Sequence, residues 1–337
     1  MSTTATAPPS ADRTSRRPRR GPLLAALAVG LLVLVVAAVA FSLGQRVGGQ
    51  APPAGAAEED RSGTRAAEEA PAGPGTPLSW APPELEDPEV VEITQDDADL
   101  KLDQDTDYEL VMPDEPLERG LSVYGGRNVV LVGGEIDLPE RGEVEQSGLR
   151  GLYLRDQTGT VHIEGLKIDG EGLGEGINLD QRLGAVVQLQ NIWVGEVFGE
   201  VEGHHGDLIQ TWAGPAELRV DGLTGSTGYQ GFFLLPQQFG DQPPPELFDL
   251  RRVDIAGAED TSAYLLWRDD DDWPLVTSDV WVAPTDTDPE DRRAFLWDRD
   301  GEDSWADVQV GTPPGGSFVP EDLAGLGYTS PGYRDQE

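Results

Sequence analysis

The sequence predicts an all-β chain whose large C-terminal part coils as a parallel β-helix, behind one N-terminal transmembrane helix and a disordered linker. Three observations predict it. Short segments of alternating apolar and polar residues recur 25–31 residues apart through the C-terminal two thirds of the chain, and alternation is the period of a half-buried strand. Two such series run in step, which chance rarely produces. Between them, no amphipathic run is long enough for the crossover helices of a βαβ fold. A propeller blade needs four strands in about 40–45 residues, whereas about 28 residues here hold two or three, which suits one coil of a solenoid.

The elements follow in chain order. Residues 1–20 form a basic tail, with Arg13, Arg16, Arg17, Arg19 and Arg20 against Asp12 alone. Residues 21–44 enclose an uncharged apolar run, 22–43. At 1.5 Å per residue, about 20 such residues cross the ~30 Å hydrocarbon layer. Positive charge ahead of the run keeps the N-terminus cytoplasmic and sends the rest of the chain outside, as a single-pass protein of the cell membrane. The alternative is a cleaved signal peptide, with Ala38-Val39-Ala40 as a small-x-small site, which would make the domain secreted. An uncleaved anchor is expected, because the run exceeds a signal core of about 7–15 residues. Residues 45–83 repeat Ala, Pro, Gly and Glu and cannot bury a core, so a disordered spacer is expected.

Residues 84–320 carry the repeats. One series begins at Gly151, Gly176, Gly206, Gly231, Ser262 and Arg293, in steps of 25, 30, 25, 31 and 31. The second aligns Val132, Ile163, Leu189, Val220 and Leu250, in steps of 31, 26, 31 and 30, and Val253, Val280 and Val308 continue it. About seven coils result. Leu154, Leu179, Ile209, Leu234, Leu265 and Leu296 are expected to form one inward ladder. Gly134, Gly165, Asn191 and Gly222 should share one bend, where Gly or Asn accepts positive φ. Residues 84–120 should form the first turn and its cap. Residues 321–337 look like a loose tail.

Charge limits function. The first 20 residues hold five of the 24 Lys+Arg and one of the 62 Asp+Glu, leaving 19 basic residues against 61 acidic ones. Such a surface repels phosphate, so nucleic acid is not an expected partner. The chain has no cysteine, which excludes disulfides, thiolate metal sites and thiol catalysis. No cofactor is expected. The carboxylates Asp269–Asp272 suit calcium, but consecutive acids cannot all face one ion, and no calcium set is assignable. The glycines from Gly170 to Gly176 lack the strand–helix context of a nucleotide loop.

The stretch Gly125-Gly126-Arg127-Asn128-Val129-Val130-Leu131-Val132-Gly133-Gly134-Glu135-Ile136, with the recurring apolar-x-apolar-x-Gly/Asn-apolar-x-apolar strand, resembles the right-handed parallel β-helix proteins of the pectin-lyase-like superfamily. The resemblance covers roughly 85–315 and implies the fold. It does not settle activity, because the superfamily includes polysaccharide lyases, glycoside hydrolases, epimerases, phage spikes and non-enzymatic adhesins. The hydrolase and lyase motifs of the superfamily do not match here: Gly203-His204-His205-Gly206 is a partial echo of a Gly-His-Gly segment, without the Asp-Asp pair.

The densest chemistry lies between Asp180 and Gln230. His205 could act as acid or base, with Asp207 or Asp180 orienting it or completing a carboxylate pair and Tyr229 nearby. His204, Gln210, Trp212 and Gln230 would bind substrate, because sugars stack on flat aromatic rings and hydrogen-bond to amides and carboxylates. Trp267, Trp281, Trp297 and Trp305 recur at strand ends and suit a packing ladder or a sugar-binding strip. The expected partner is an extracellular or cell-wall polysaccharide, bound without turnover. The alternatives are a lyase, hydrolase or epimerase using His205, and a structural envelope scaffold. Oligomeric state is not legible.

Overall fold

The computed structural model describes residues 75–140, 150–200, 203–239, 242–258, 264–269, 272–285, 287–299 and 304–334, within the compact unit Ala67–Glu337. The basic tail, the apolar run 22–43, the linker up to residue 74, and Ser262, Asp270 and Asp271 lie outside the described residues. Among the described residues no helix is long and apolar enough to cross a membrane.

The chain winds as β1 (Glu89–Glu92), β2 (Asp99–Lys101), β3 (Tyr108–Val111), β4 (Leu121–Tyr124), β5 (Val129–Val132), β6 (Glu135–Asp137) and β7 (Arg150–Arg155). It continues through β8 (Thr160–Glu164), β9 (Lys167–Asp169), β10 (Glu175–Asp180), β11 (Val186–Val197), β12 (Asp207–Ala213) and β13 (Glu217–Thr227). It ends with β14 (Gln230–Leu234), β15 (Leu247–Gly257), β16 (Leu266–Arg268), β17 (Leu275–Ala283), β18 (Leu296–Asp298) and β19 (Gln309–Val310). Two sheets result. One orders β1-β3-β5-β8-β11-β13-β15-β17-β19, extended by β6 and β9; the other orders β18-β16-β14-β12-β10-β7-β4-β2. Every strand pairing is parallel. The fold is a parallel β-solenoid of about six turns, with strands of two to four residues at its ends.

The core fills the space between the sheets. Leu131, Ile163, Leu189, Val220 and Leu250 stack in register and are fully buried. Fully burying such a side chain contributes about 1.5–3 kcal/mol. This rung corrects the alignment by one residue: Val132 pairs with Glu164 and faces outward, 47% exposed. The expected leucine ladder is buried throughout but splits across two rungs, with Leu265 in neither because Leu266 takes its place. Leu152, Ile177, Ile209, Phe232, Leu266 and Leu296 form one, and Leu154, Leu179, Thr211 and Leu234 the next.

The bend column follows the expectation from its second member on. Gly165, Asn191 and Gly222 have φ of +68°, +53° and +77°, and the residue opposite Gly165 is Gly133 (+75°), one position before the expected Gly134 (+97°). Arg252 and Asp279 continue it at +48° and +59°, although side chains of that kind seldom adopt this conformation.

The C-terminal segment, expected to be loose, instead crosses the outer face of the eleven-stranded sheet. Phe318 N–H donates to Asp254 (2.9 Å), Val319 N–H to the Thr224 hydroxyl (2.9 Å), and Asn191 to the Leu323 carbonyl (2.7 Å). Gly325 N–H donates to the Gly165 carbonyl (2.8 Å). Residues 78–80, assigned to the spacer by composition, run beside it: Leu78 pairs with Tyr333, Ser79 N–H donates to Asp221 (2.7 Å), and Trp80 N–H to Gln190 (3.0 Å). Low apolar content does not preclude order where outward-facing side chains satisfy the backbone of a crossing segment.

Candidate functional site

The outer face of the eight-stranded sheet carries most of the residues singled out from sequence. Parallel register places Tyr153, Asn178, Gln210, Phe233, Trp267 and Trp297 in one row, one per turn. Beside it, Arg150 pairs with Glu175, and register from Ile177 and Ile209 sets Asp207 opposite Glu175. The predicted neighbour Asp180 does not belong to this group. It lies at the other end of β10, where a bulge pairs it with Ala213. There it accepts from Arg182 (2.6 Å) and the Tyr153 hydroxyl (3.2 Å), and sits 3.5 Å from Arg155. Arg155 also lines a hollow of about 240 Å³ with Lys101, Tyr124 and Asp156.

Glu175 takes the place expected of Asp180. Asn178 donates to its carboxylate (3.2 Å) and also to Gln210 (3.3 Å). Burial pushes Glu175 up to about 7, against the hydrogen bond from Asn178, the charge of Arg150 and the backbone N–H of Asp207. Burial, then the negative charge of Glu175, raises Asp207 well above the usual carboxylate range. Two carboxyls so placed cannot both ionise readily, so the pair retains a proton near neutral pH.

Around Glu175, three buried side-chain atoms have no hydrogen-bond partner among the described residues: Arg150 Nε, Asn178 Oδ1 and Asp207 Oδ1. Buried polar atoms are seldom left unpaired, because each costs about 1–3 kcal/mol. Together they make one donor and two acceptors, a set that two neighbouring hydroxyls, donating twice and accepting once, would satisfy.

The histidines frame this centre. His205 stacks on Tyr229 at 4.4 Å and 11°. Burial and the Asp207 charge push the Tyr229 phenol up to about 12, so it stays neutral. His204 stacks against Phe198, and its Nε2 donates to the Gly174 carbonyl (2.8 Å). That contact fits a structural part better than a binding one. Gln230 is opposite Asp207 on β14. Trp212 lies 5.7 Å from Tyr153, with Phe239 edge-on at 6.2 Å and the Arg150 guanidinium 4.8 Å above its ring.

The four tryptophans separate. Trp267 and Trp297 meet at 4.4 Å on this face, their rings tilted by 40°. Trp305 is buried, its indole N–H bonded to the Trp297 carbonyl. Trp281 belongs to β17 in the other sheet and donates to Asp279.

A second polar cluster was not legible. His162 is buried beneath the C-terminal segment, its Nε2 2.9 Å from Glu164 and its Nδ1 2.8 Å from the Gln188 amide. With the Gln188 nitrogen turned towards His162, its oxygen accepts from Arg219 (3.2 Å), and the imidazole proton sits on Nε2. The Tyr328 and Tyr333 hydroxyls donate to the same Glu164 carboxylate (2.9 and 2.7 Å). Burial opposes ionisation of Glu164, but the bonds from His162, Ser330, Tyr333 and Tyr328 outweigh it and hold the carboxyl below its usual range. Every partner here is internal, as in a structural lock. Among the described residues no group of three or more His, Cys, Asp or Glu is placed to hold a metal ion.

No family model, curated protein or solved structure matches the chain.

Proposed function

We propose that the protein is a right-handed β-helix of the pectin-lyase-like kind, tethered outside a membrane by residues 22–43, and that the outer face of its eight-stranded sheet binds an extracellular or cell-wall polysaccharide. The observation that carries this is the unpaired set Arg150 Nε, Asn178 Oδ1 and Asp207 Oδ1 beside the rings of Tyr153 and Trp212. A sugar offers hydroxyls that accept and donate at once, and apolar ring faces that stack on aromatics. Binding without turnover is the primary reading, with the domain held off the membrane by the spacer.

A second reading, cleavage of the bound chain, is favoured by one feature. Glu175 and Asp207 share a site in which one carboxyl keeps its proton near pH 7, the condition a general acid requires. His205, expected as the acid–base, stacks on Tyr229.

A glycan array on the full-length protein tests both readings, with Arg150→Met, Asp207→Asn and, as a control on the other sheet, Trp281→Ala. Binding by the wild type and the control, lost roughly tenfold or more in the two site variants, is expected. Equal binding by all four proteins would refute this site. New reducing ends in the bound fraction, absent with Asp207→Asn, would establish the second reading.

A further inference from the structure

The row beyond Gln210 indicates which polysaccharide this is, given the glycan reading above. Phe233, Trp267 and Trp297 continue the row in consecutive turns, all half-buried. Their rings form one contact cluster: Phe233 meets Trp267 edge-on at 5.2 Å, Tyr264 meets Trp267 edge-on at 5.1 Å, and Trp297 lies 4.4 Å from Trp267, tilted by 40°. The Trp267 indole N–H has no acceptor among the described residues, although indole donors usually find one. Turns repeat about every 4.8 Å, close to the length of one pyranose unit in an extended chain. A polymer lying along the solenoid axis would therefore place about one sugar on each turn from Tyr153 to Trp297, about six in all, with the half-buried rings of Phe233, Trp267 and Trp297 as the more accessible half of the row and Tyr153, Asn178 and Gln210 as the buried half.

Charge narrows the class. The chain carries 62 acidic against 24 basic residues, and the centre of the row holds the buried acids Glu175 and Asp207 with one guanidinium, Arg150. A polyanion brought there meets repulsion from both the centre and the surrounding surface. The aromatic stretch instead offers the individual ring faces of Phe233, Trp267 and Trp297, one per turn, which reward sugars whose hydroxyls are equatorial and whose ring faces are apolar.

We infer that the ligand is an uncharged, β-linked, equatorial polysaccharide, read over about six units, with Phe233, Trp267 and Trp297 as the platform for one end. The polar centre fixes register through hydroxyls, and the platform contributes affinity only to chains long enough to reach it.

Calorimetric titration of the full-length protein with neutral β-1,4-glucan oligomers of two to seven units, and with polyuronate oligomers of the same lengths, tests this. Affinity for the neutral series is expected to rise up to about six units. Trp297→Ala should remove roughly tenfold in affinity for the hexamer and leave the dimer unchanged, while Trp297→Phe should retain most of the gain. Tighter, salt-sensitive binding of the polyuronates would overturn this inference and leave the glycan reading standing. A Trp297→Ala loss equal at all lengths, or no loss, would also overturn it. Binding of neither series would remove both this inference and the reading beneath it.

Discussion

Two buried carboxylates give opposite dependences on pH, because their neighbours differ. Glu164 receives hydrogen bonds from His162, Tyr328 and Tyr333, and its folded-state value is depressed. Its contribution is present above the unfolded value, near 4.5, and lost as pH falls through the folded one. Glu175 faces Asp207, and burial raises it from 4.5 to about 7. Its protonated form suits the fold, so stability is full below 4.5 and declines as pH rises to about 7. Asp207→Asn removes the second charge and should stabilise the protein by on the order of 1–3 kcal/mol at pH 8 and flatten this decline. Urea melts of wild type and variant at pH 5 and pH 8 measure it; a larger stabilisation at pH 5 than at pH 8 would contradict the assignment. Of these acids, only Asp207 was visible from sequence. Aligning Gly176 with Gly206 put Asp207 beside Ile177, whereas the strands pair Ile177 with Ile209. That two-residue offset hid Glu175. Bulges and loop lengths set it, and a repeat alignment does not contain them.

At the scale of elements, the sequence shows most of what makes a coil. Alternation identifies the strands, and the Gly/Asn column marks the bend. Arg252 shares that bend without announcing it, since arginine does not signal positive φ, and Asp279 signals it far more weakly than glycine. The crossing C-terminal segment was illegible for a different reason. Its glycines, prolines and acids read as a tail, yet its backbone is satisfied by the side chains of Asp254, Thr224 and Asn191 and by the backbone of Gly165 and Gly134, and that information lies in the register of other strands. Gly165 and Gly222 separate the two effects. Both have positive φ, but a Cβ on Gly165 would run into the Tyr328 ring, while the nearest atoms to one on Gly222 are 3.5 Å away. Gly222→Ala should cost about 1–2 kcal/mol from backbone conformation alone. Gly165→Ala should cost roughly twice that, as it must also displace Tyr328 from Glu164. Thermal denaturation of the two variants checks the difference, and equal losses would mean that the Tyr328 contact carries no weight.

Over the whole molecule, a solenoid is a stack in which each turn touches only its neighbours. The crossing segment changes this by tying β15, β13, β11 and β8 to one strip of chain. One sheet is thereby crossed by the C-terminal segment and residues 78–80, and the other carries the row of amides, acids and rings, buried at Tyr153, Asn178 and Gln210 and half-buried at Phe233, Trp267 and Trp297. Function is assigned to that second face. Hydrogen–deuterium exchange of the full-length protein, with and without a neutral β-1,4-linked hexasaccharide, tests the assignment most directly. Added protection should fall on β7, β10, β12, β14, β16 and β18, with none on residues 317–334. Protection confined to the crossing segment and the eleven-stranded sheet, or absent everywhere, would contradict it.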